Sequence, residues 1–169
     1  MPPFSGNTAC MLSEQDKHFL RQAIALSREG MTTGQGGPFG CIIVKDGQVV
    51  GQSANKVTST NDPTAHAEVM AIRAACQHLN SHQLDGCTLY TSCEPCPMCL
   101  GAIYWARPAR VVYAAAHTDA AVAGFDDSFI YAELAKPYTH RSIPTQQALQ
   151  HEAQPVFTEW AAKADRKEY

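Results

Sequence analysis

Two short segments carry the residue types that can do chemistry. Pro63-Thr64-Ala65-His66-Ala67-Glu68 sets an imidazole two positions before a carboxylate, and Thr91-Ser92-Cys93-Glu94-Pro95-Cys96-Pro97-Met98-Cys99 sets two thiols three apart just after a proline. Thiols three apart in the first turn of a helix point the same way. The positive end of that helix favours thiolate, the form that binds metal. With His66 adding a nitrogen to Cys96 and Cys99, a tetrahedral zinc keeps one open position, where a catalytic site holds its water. Zinc lowers the pKa of such a water to about 7. Glu68 is close enough to take that proton without binding the metal, and such transfer is worth roughly 10² to 10⁴ in rate. Cys93 leaves a second arrangement open, a closed structural site of His66 with Cys93, Cys96 and Cys99. Because Cys93 precedes Pro95 and sits outside the helical turn, it is read as a buried thiol near the site.

Those residues need elements to position them. Ser13 begins a helix with Asp16 as capping partner and Phe19, Leu20, Ala23, Ile24 and Leu26 as its apolar stripe. The run Gly34-Gln35-Gly36-Gly37-Pro38 ends it. Cys41–Val44 and Gln48–Gln52 flank Asp46-Gly47, a two-residue hairpin signal. A helix over about 65–79 carries His66 and Glu68, and Thr88–Thr91 is a third strand. A helix opening at Pro95 or Cys96 runs to about Ala106, and Arg110–Ala114 is a fourth strand. This order predicts a three-layer α/β/α sandwich around a central mixed sheet, expected to have five strands. Residues 1–12 read as a loose leader and 13–169 as one domain. The stretch 117–134 is partly helical, Ile143–Pro155 is open between strand and helix, and Phe157, Trp160, Ala161 and Ala164 mark a last helix.

The chain has 169 residues, 45% hydrophobic and 17% charged, which is the composition of an ordered globular protein. Its longest apolar runs, such as Cys41–Val44, fall far short of the roughly 18 residues needed to cross a bilayer. No export signal is visible at the N-terminus, so a cytoplasmic protein without membrane attachment is expected. The net charge is −3 with scattered basic residues, which argues against a nucleic-acid partner. Of the seven cysteines, three crowd into 93–99, a pattern of metal binding or catalysis before disulfides.

His-x-Glu followed by Pro-Cys-x-x-Cys is the pattern of zinc nucleobase deaminases. From about Ser13 to Tyr169 the chain closely resembles the bacterial guanine deaminases of the cytidine-deaminase superfamily. The resemblance rests on Gly36-Gly37-Pro38-Phe39-Gly40, on Asn61 through Glu68, and on Cys93 through Pro108. It extends to His117-Thr118-Asp119-Ala120-Ala121, Gly124-Phe125-Asp126-Asp127-Ser128-Phe129 and Lys167-Glu168-Tyr169. It is poor around 142–154. It implies a cytidine-deaminase-like fold, one zinc per subunit, and hydrolysis of guanine at C2 to xanthine and ammonia in purine breakdown or salvage. Glu68 would then carry the protons.

By the same resemblance, Asn55 holds the purine, although an ordinary turn residue is the alternative. Asp127 meets the substrate, with a helix cap or a solvated loop charge as the alternative. A carboxylate only accepts hydrogen bonds. It would therefore suit the N1–H and N2–H₂ donors of guanine and oppose the N1 acceptor of adenine. Phe39 and Trp105 match positions near the base and equally suit a core. The resemblance further implies a homodimer that exchanges its C-terminal segments, with Tyr169 closing the partner's pocket. Rival functions are deamination of a tRNA adenosine, cytosine or guanosine, or a zinc-stabilised binding module without turnover.

Overall fold

Helix and hairpin boundaries follow the local chemistry closely. The computed structural model describes residues 11–168. Most of the expected leader, with Cys10, and the terminal Tyr169 lie outside the described residues. The chain divides into two compact units, Met1–His117 and Thr118–Tyr169.

In the first unit, helix α1 (Glu14–Thr32) starts at Ser13 with a complete capping box. The Ser13 hydroxyl accepts from the Asp16 amide at 3.0 Å, and the Asp16 carboxylate accepts from the Ser13 amide at 2.9 Å. Strands β1 (Gly40–Lys45) and β2 (Gln48–Ala54) form an antiparallel hairpin. Asp46 and Gly47 turn it with φ of 50° and 77°, the paired positive values of a type I′ turn. A short helix α2 (Val57–Thr60) leads to α3 (Ala67–Leu79). Strand β3 (Thr88–Cys93), helix α4 (Pro97–Ala106) and strand β4 (Arg110–Ala115) then form a parallel crossover unit.

The sheet order is β2-β1-β3-β4, with β1 antiparallel to β3. Strand alternation splits its side chains between two cores. Ile42, Val44, Tyr90 and Val112 pack on Phe19 and Ala23 of α1. Cys41, Ile43 and Leu89 on the other face meet Ala67, Ala71 and Ala75 of α3, with Ile103 and Ala106 of α4. The unit is thus the expected three-layer α/β/α sandwich, and it holds both chemical segments on the α3–α4 side.

The carboxylate of Asp16 does more than cap α1. Buried, it accepts from the Tyr90 hydroxyl at 2.7 Å and pairs with Arg110 at 2.6 Å, tying the helix start to β3 and β4.

The second unit is helical. It contains α6 (Ser128–Ala135), a 3₁₀ turn α-to-loop at Tyr138–His140, and α7 (Gln150–Ala162), after the short α5 (His117–Val122) that spans the unit boundary. Among the described residues the sheet has four strands, where five are expected from the sequence. The stretch open between strand and helix becomes loop and then α7: Pro144 blocks a strand ladder, while Gln150, Glu152, Ala153 and Gln154 are good helix formers. Pro155 lies inside α7, so the carbonyl four residues before it loses its usual amide partner. No helix among the described residues is long and apolar enough to cross a membrane.

Candidate metal centre and active site

Helices α3 and α4 both begin with a residue that would ordinarily cap the helix with its side chain. Here the N-caps are His66 and Cys96, both with extended backbone (ψ 153° and 168°), and neither side chain makes a capping bond. Both are left to face one another. Pro97 at the first position of α4 costs no amide bond and presets the helical φ, and Cys99 follows within the same turn.

The imidazole Nδ1 of His66 lies 3.5 Å from the Sγ of Cys96 and 3.5 Å from the Sγ of Cys99. All three donor atoms fall within 4.8 Å of one another. Zinc bonds of about 2.3 Å to sulfur and about 2.0 Å to nitrogen, opened to a tetrahedral angle, require sulfur and nitrogen about 3.5 Å apart. Two soft sulfurs and one imidazole, each sulfur at that spacing from the nitrogen, suit zinc.

The electrostatics point the same way. Contact with the Cys99 thiol, aided by His66, lowers the Cys96 thiol to about 4, against the opposing effect of burial. Cys99 is pushed upward, first by Cys96 and then by burial. Zinc binding requires both thiols as thiolates, so metal uptake would release their protons. The His66 imidazole is raised chiefly by its hydrogen bond with Cys96.

Glu68, one residue inside α3, is 5% exposed beside these donors. Its Oε1 accepts from the Thr91 hydroxyl at 3.2 Å, and its Oε2 lies 3.4 Å from the Cys99 sulfur. Burial pushes its carboxyl above the usual range, the direction a proton carrier at neutral pH needs.

Cys93 stands apart from this group. Buried at the end of β3, its thiol donates to the Ala116 carbonyl at 3.7 Å. The clustered donors are His66, Cys96 and Cys99, as the helical-turn argument expects, and the closed four-ligand arrangement finds no support in the geometry.

Asn55 is buried at the end of β2. Its Oδ1 accepts from the Gly37 and Val57 amides at 3.3 and 3.1 Å, so its NH₂ group is what it has to offer a ligand. The next residue ties this loop to the metal helix, with the Lys56 amide donating to the Ala65 carbonyl at 2.9 Å. Gly36 permits the arrangement: a Cβ there would lie 2.3 Å from the Asn55 Oδ1. Phe39 is half-buried against the α3 side of the core, and its carbonyl accepts from the Asn55 amide at 2.9 Å.

Trp105 is 61% exposed on α4, which removes the core alternative for it. Asp127 belongs to the second unit and precedes α6. Its side chain makes no capping bond, and Asp126 instead accepts from the Ser128 amide at 2.9 Å. Tyr169 lies outside the described residues.

Three contributors lie within the quoted segments, but their roles are not marked by spacing. They are Thr91 on Glu68, Gly36 under Asn55, and Glu94, which accepts from the His117 amide at 3.1 Å and anchors the loop into Cys96.

A buried carboxylate beside an open His/Cys/Cys set, at the mouths of two helices on one face of a mixed sheet, defines a zinc hydrolase site. Residues 13–115 match the model of the cytidine and deoxycytidylate deaminase zinc-binding region, and the chain belongs to that family, whose cofactor is zinc. The guanine deaminase of Bacillus subtilis is 60% identical over 151 residues, covering 89% of this chain and 97% of that one. Its X-ray structure superposes with a TM-score of 0.89 at 59% identity, over 90% of this chain and 98% of that one. A tRNA-specific adenosine deaminase of Aquifex aeolicus is 40% identical but covers only 59% of this chain and 65% of its own length. A guanine deaminase structure from Nitrosomonas europaea reaches a TM-score of 0.63 at 29% identity, over 75% of this chain and 74% of that one.

Proposed function

We propose that this chain hydrolyses guanine to xanthine and ammonia. The observation that carries the reaction type is the convergence of His66, Cys96 and Cys99 within 4.8 Å, with the buried Glu68 carboxylate in contact with Cys99. Guanine as the base is supported by the 60% identical guanine deaminase, which the chain covers almost end to end. The adenosine deaminase likeness stops well short of that.

His66, Cys96 and Cys99 would hold the zinc. When bound, the metal makes a water acidic enough to attack C2 of the base at neutral pH. Glu68 would take one proton from that water and pass it to the ring nitrogen N3. It would then take the second from the hydroxyl gained by C2 and pass it to the amine, which leaves as ammonia as the C2–N bond breaks and the C2 carbonyl forms. Burial raises the Glu68 carboxyl above the usual range, the direction that favours taking up a proton. The Asn55 NH₂ group donates to an acceptor on the purine, and Asp127 accepts from the N1–H and N2–H₂ edge. That edge is what separates guanine from adenine. Phe39 and Trp105 flank the base.

Residues 13–169 act as one functional domain in a cytoplasmic homodimer. The last segment is exchanged, and Tyr169 closes the partner's site. Exposed apolar side chains in each unit, Val111 and Tyr113 on β4 and Val156, Phe157 and Trp160 on α7, support a protein–protein surface.

The deciding experiment offers guanine to the zinc-loaded protein and measures xanthine and ammonia, beside adenine, cytosine and guanosine. Turnover of guanine above the others supports the reading. Turnover of another substrate in its place, or of none, overturns it.

A further inference from the structure

Resting on the reading of Glu68 as the proton carrier, we propose that Thr91 is a positioning residue for the reaction, the hydrogen-bond donor that fixes the Glu68 carboxylate. Thr91 lies in the middle of the sheet, on β3, paired with Cys41 of β1 and Tyr113 of β4. By strand alternation it shares the face of Leu89, in the layer against α3 and α4. A hydroxyl 1% exposed in such a layer is costly unless it is bonded, and its bond runs to Glu68 Oε1 at 3.2 Å.

The two carboxylate oxygens are therefore unequal. Oε1 is held by a hydroxyl carried on a rigid central strand. Oε2 faces the Cys99 sulfur at 3.4 Å, where the partner is a thiol proton. A cysteine that ligates zinc is a thiolate and has no proton to give. With zinc bound the Cys99 bond would be lost, and Thr91 would be the side chain left to hold the carboxylate, beside the backbone amide of Glu68 itself. It sets the rotation of Glu68 so that Oε2 stays turned toward the metal donors with its lone pairs available for the proton in transit. A carboxylate free to rotate would spend part of its time misaligned, and misplacement of this kind lowers turnover more than binding.

Two substitutions separate positioning from packing. Thr91→Val keeps the shape and the β-branched strand preference but deletes the donor. Thr91→Ser keeps the donor and deletes a buried methyl. If Thr91 positions Glu68, Thr91→Val loses about tenfold to a hundredfold in kcat on guanine, the range for a lost hydrogen bond to a charged group. Its KM and zinc content stay near wild type. Thr91→Ser restores kcat to within about threefold of wild type by the same reasoning, although its Tm falls through the lost methyl. A purely structural Thr91 gives the reverse order, with Ser more harmful than Val in both Tm and kcat, and that result overturns the proposal. Should Thr91→Val not fold, Thr91→Ala against Thr91→Ser makes the same comparison, since both remove volume and only Ser keeps the hydroxyl.

Glu68→Gln distinguishes the two layers of the argument. A fully active Glu68→Gln defeats the proton-carrier reading itself. An inactive Glu68→Gln beside a Thr91→Val of wild-type kcat defeats only the role of Thr91.

Discussion

Replacing Gly36 with alanine tests whether the glycine-rich loop exists to seat Asn55. The Gly36 backbone is not in the left-handed region, so an added methyl brings no torsional strain and acts through contact alone. Its Cβ would stand 2.3 Å from the Asn55 Oδ1, 2.6 Å from its carbonyl oxygen and 3.0 Å from its carbonyl carbon. Carbon and oxygen approach no closer than about 3.3 Å even in favourable contacts, so the overlap is roughly 1 Å with the side chain and somewhat less with the main chain. The main chain is the less able to yield. The Asn55 amide donates to the Phe39 carbonyl at 2.9 Å, and the Lys56 amide to the Ala65 carbonyl at 2.9 Å, clamping the residue from both sides. The side chain must therefore swing, and it abandons the Gly37 and Val57 amides as it does.

Overpacking of this kind costs about 1–3 kcal/mol, and each lost bond about 1 kcal/mol more. A total of about 3–5 kcal/mol corresponds to a Tm lowered by roughly 6–20 °C in a domain of this size. His66, Cys96 and Cys99 are untouched, so zinc content should remain near one per chain. The assay is steady-state kinetics on guanine for Gly36→Ala, Asn55→Ala and the double variant, with metal analysis of each. Displacing a donor that binds the base should raise KM about tenfold. The double variant should be no worse in KM than Asn55→Ala alone, because both changes remove the same contact. A Gly36→Ala protein with wild-type KM, while Asn55→Ala raises it, would refute the reasoning. So would fully additive effects.

Cys93→Ala should retain zinc near one per chain and most activity, whereas Cys96→Ala and Cys99→Ala should lose the metal; zinc lost from Cys93→Ala and kept by Cys99→Ala would place the ligands wrongly. Arg110, then Tyr90 and Ser13, hold the Asp16 carboxyl well below its usual range against the effect of burial. A carboxyl depressed by folding adds stability that is complete above about pH 4 and is lost as pH falls through its native value. Asp16→Asn should therefore lower Tm by about 5 °C at pH 7, from about 2 kcal/mol with Arg110 partly solvated, and the gap from wild type should narrow on acidification below pH 4. An equal gap at pH 7 and pH 3 would count against the ion pair. For the exchanged tail, a chain lacking Lys167–Tyr169, refolded together with full-length Glu68→Ala chains, should regain activity that neither has alone, and inactive heterodimers confirmed by mass would rule exchange out.

How much of this was legible in the sequence follows from the range of the interactions involved. His66, Glu68, Cys96 and Cys99 are legible because each pair sits within one turn of a helix mouth, where spacing alone decides which way side chains point. Asp46-Gly47 and the Ser13–Asp16 box are local in the same sense, and the structure forms both. Distance along the chain is what hides the rest. Thr91 and Glu68 are 23 positions apart, and within Thr-Leu-Tyr-Thr-Ser-Cys a buried threonine looks like any β-branched strand residue. Its hydroxyl acquires meaning only after the register of β3 against β1 sets which face it shares with α3. Asp16 shows the same limit from the other side: its capping role is local and readable, but its bond to Tyr90 spans 74 positions and appears only once α1 lies on the sheet. Gly36 reads as a helix breaker, and the atom that forbids a side chain there belongs to Asn55, at the end of a hairpin formed in between. Residues that perform the chemistry can thus be found from spacing, whereas those that hold them in place are found by asking what a buried polar atom touches. Helix-mouth spacing reaches the metal donors and Glu68; the donor proposed to orient Glu68 comes from the strand beneath.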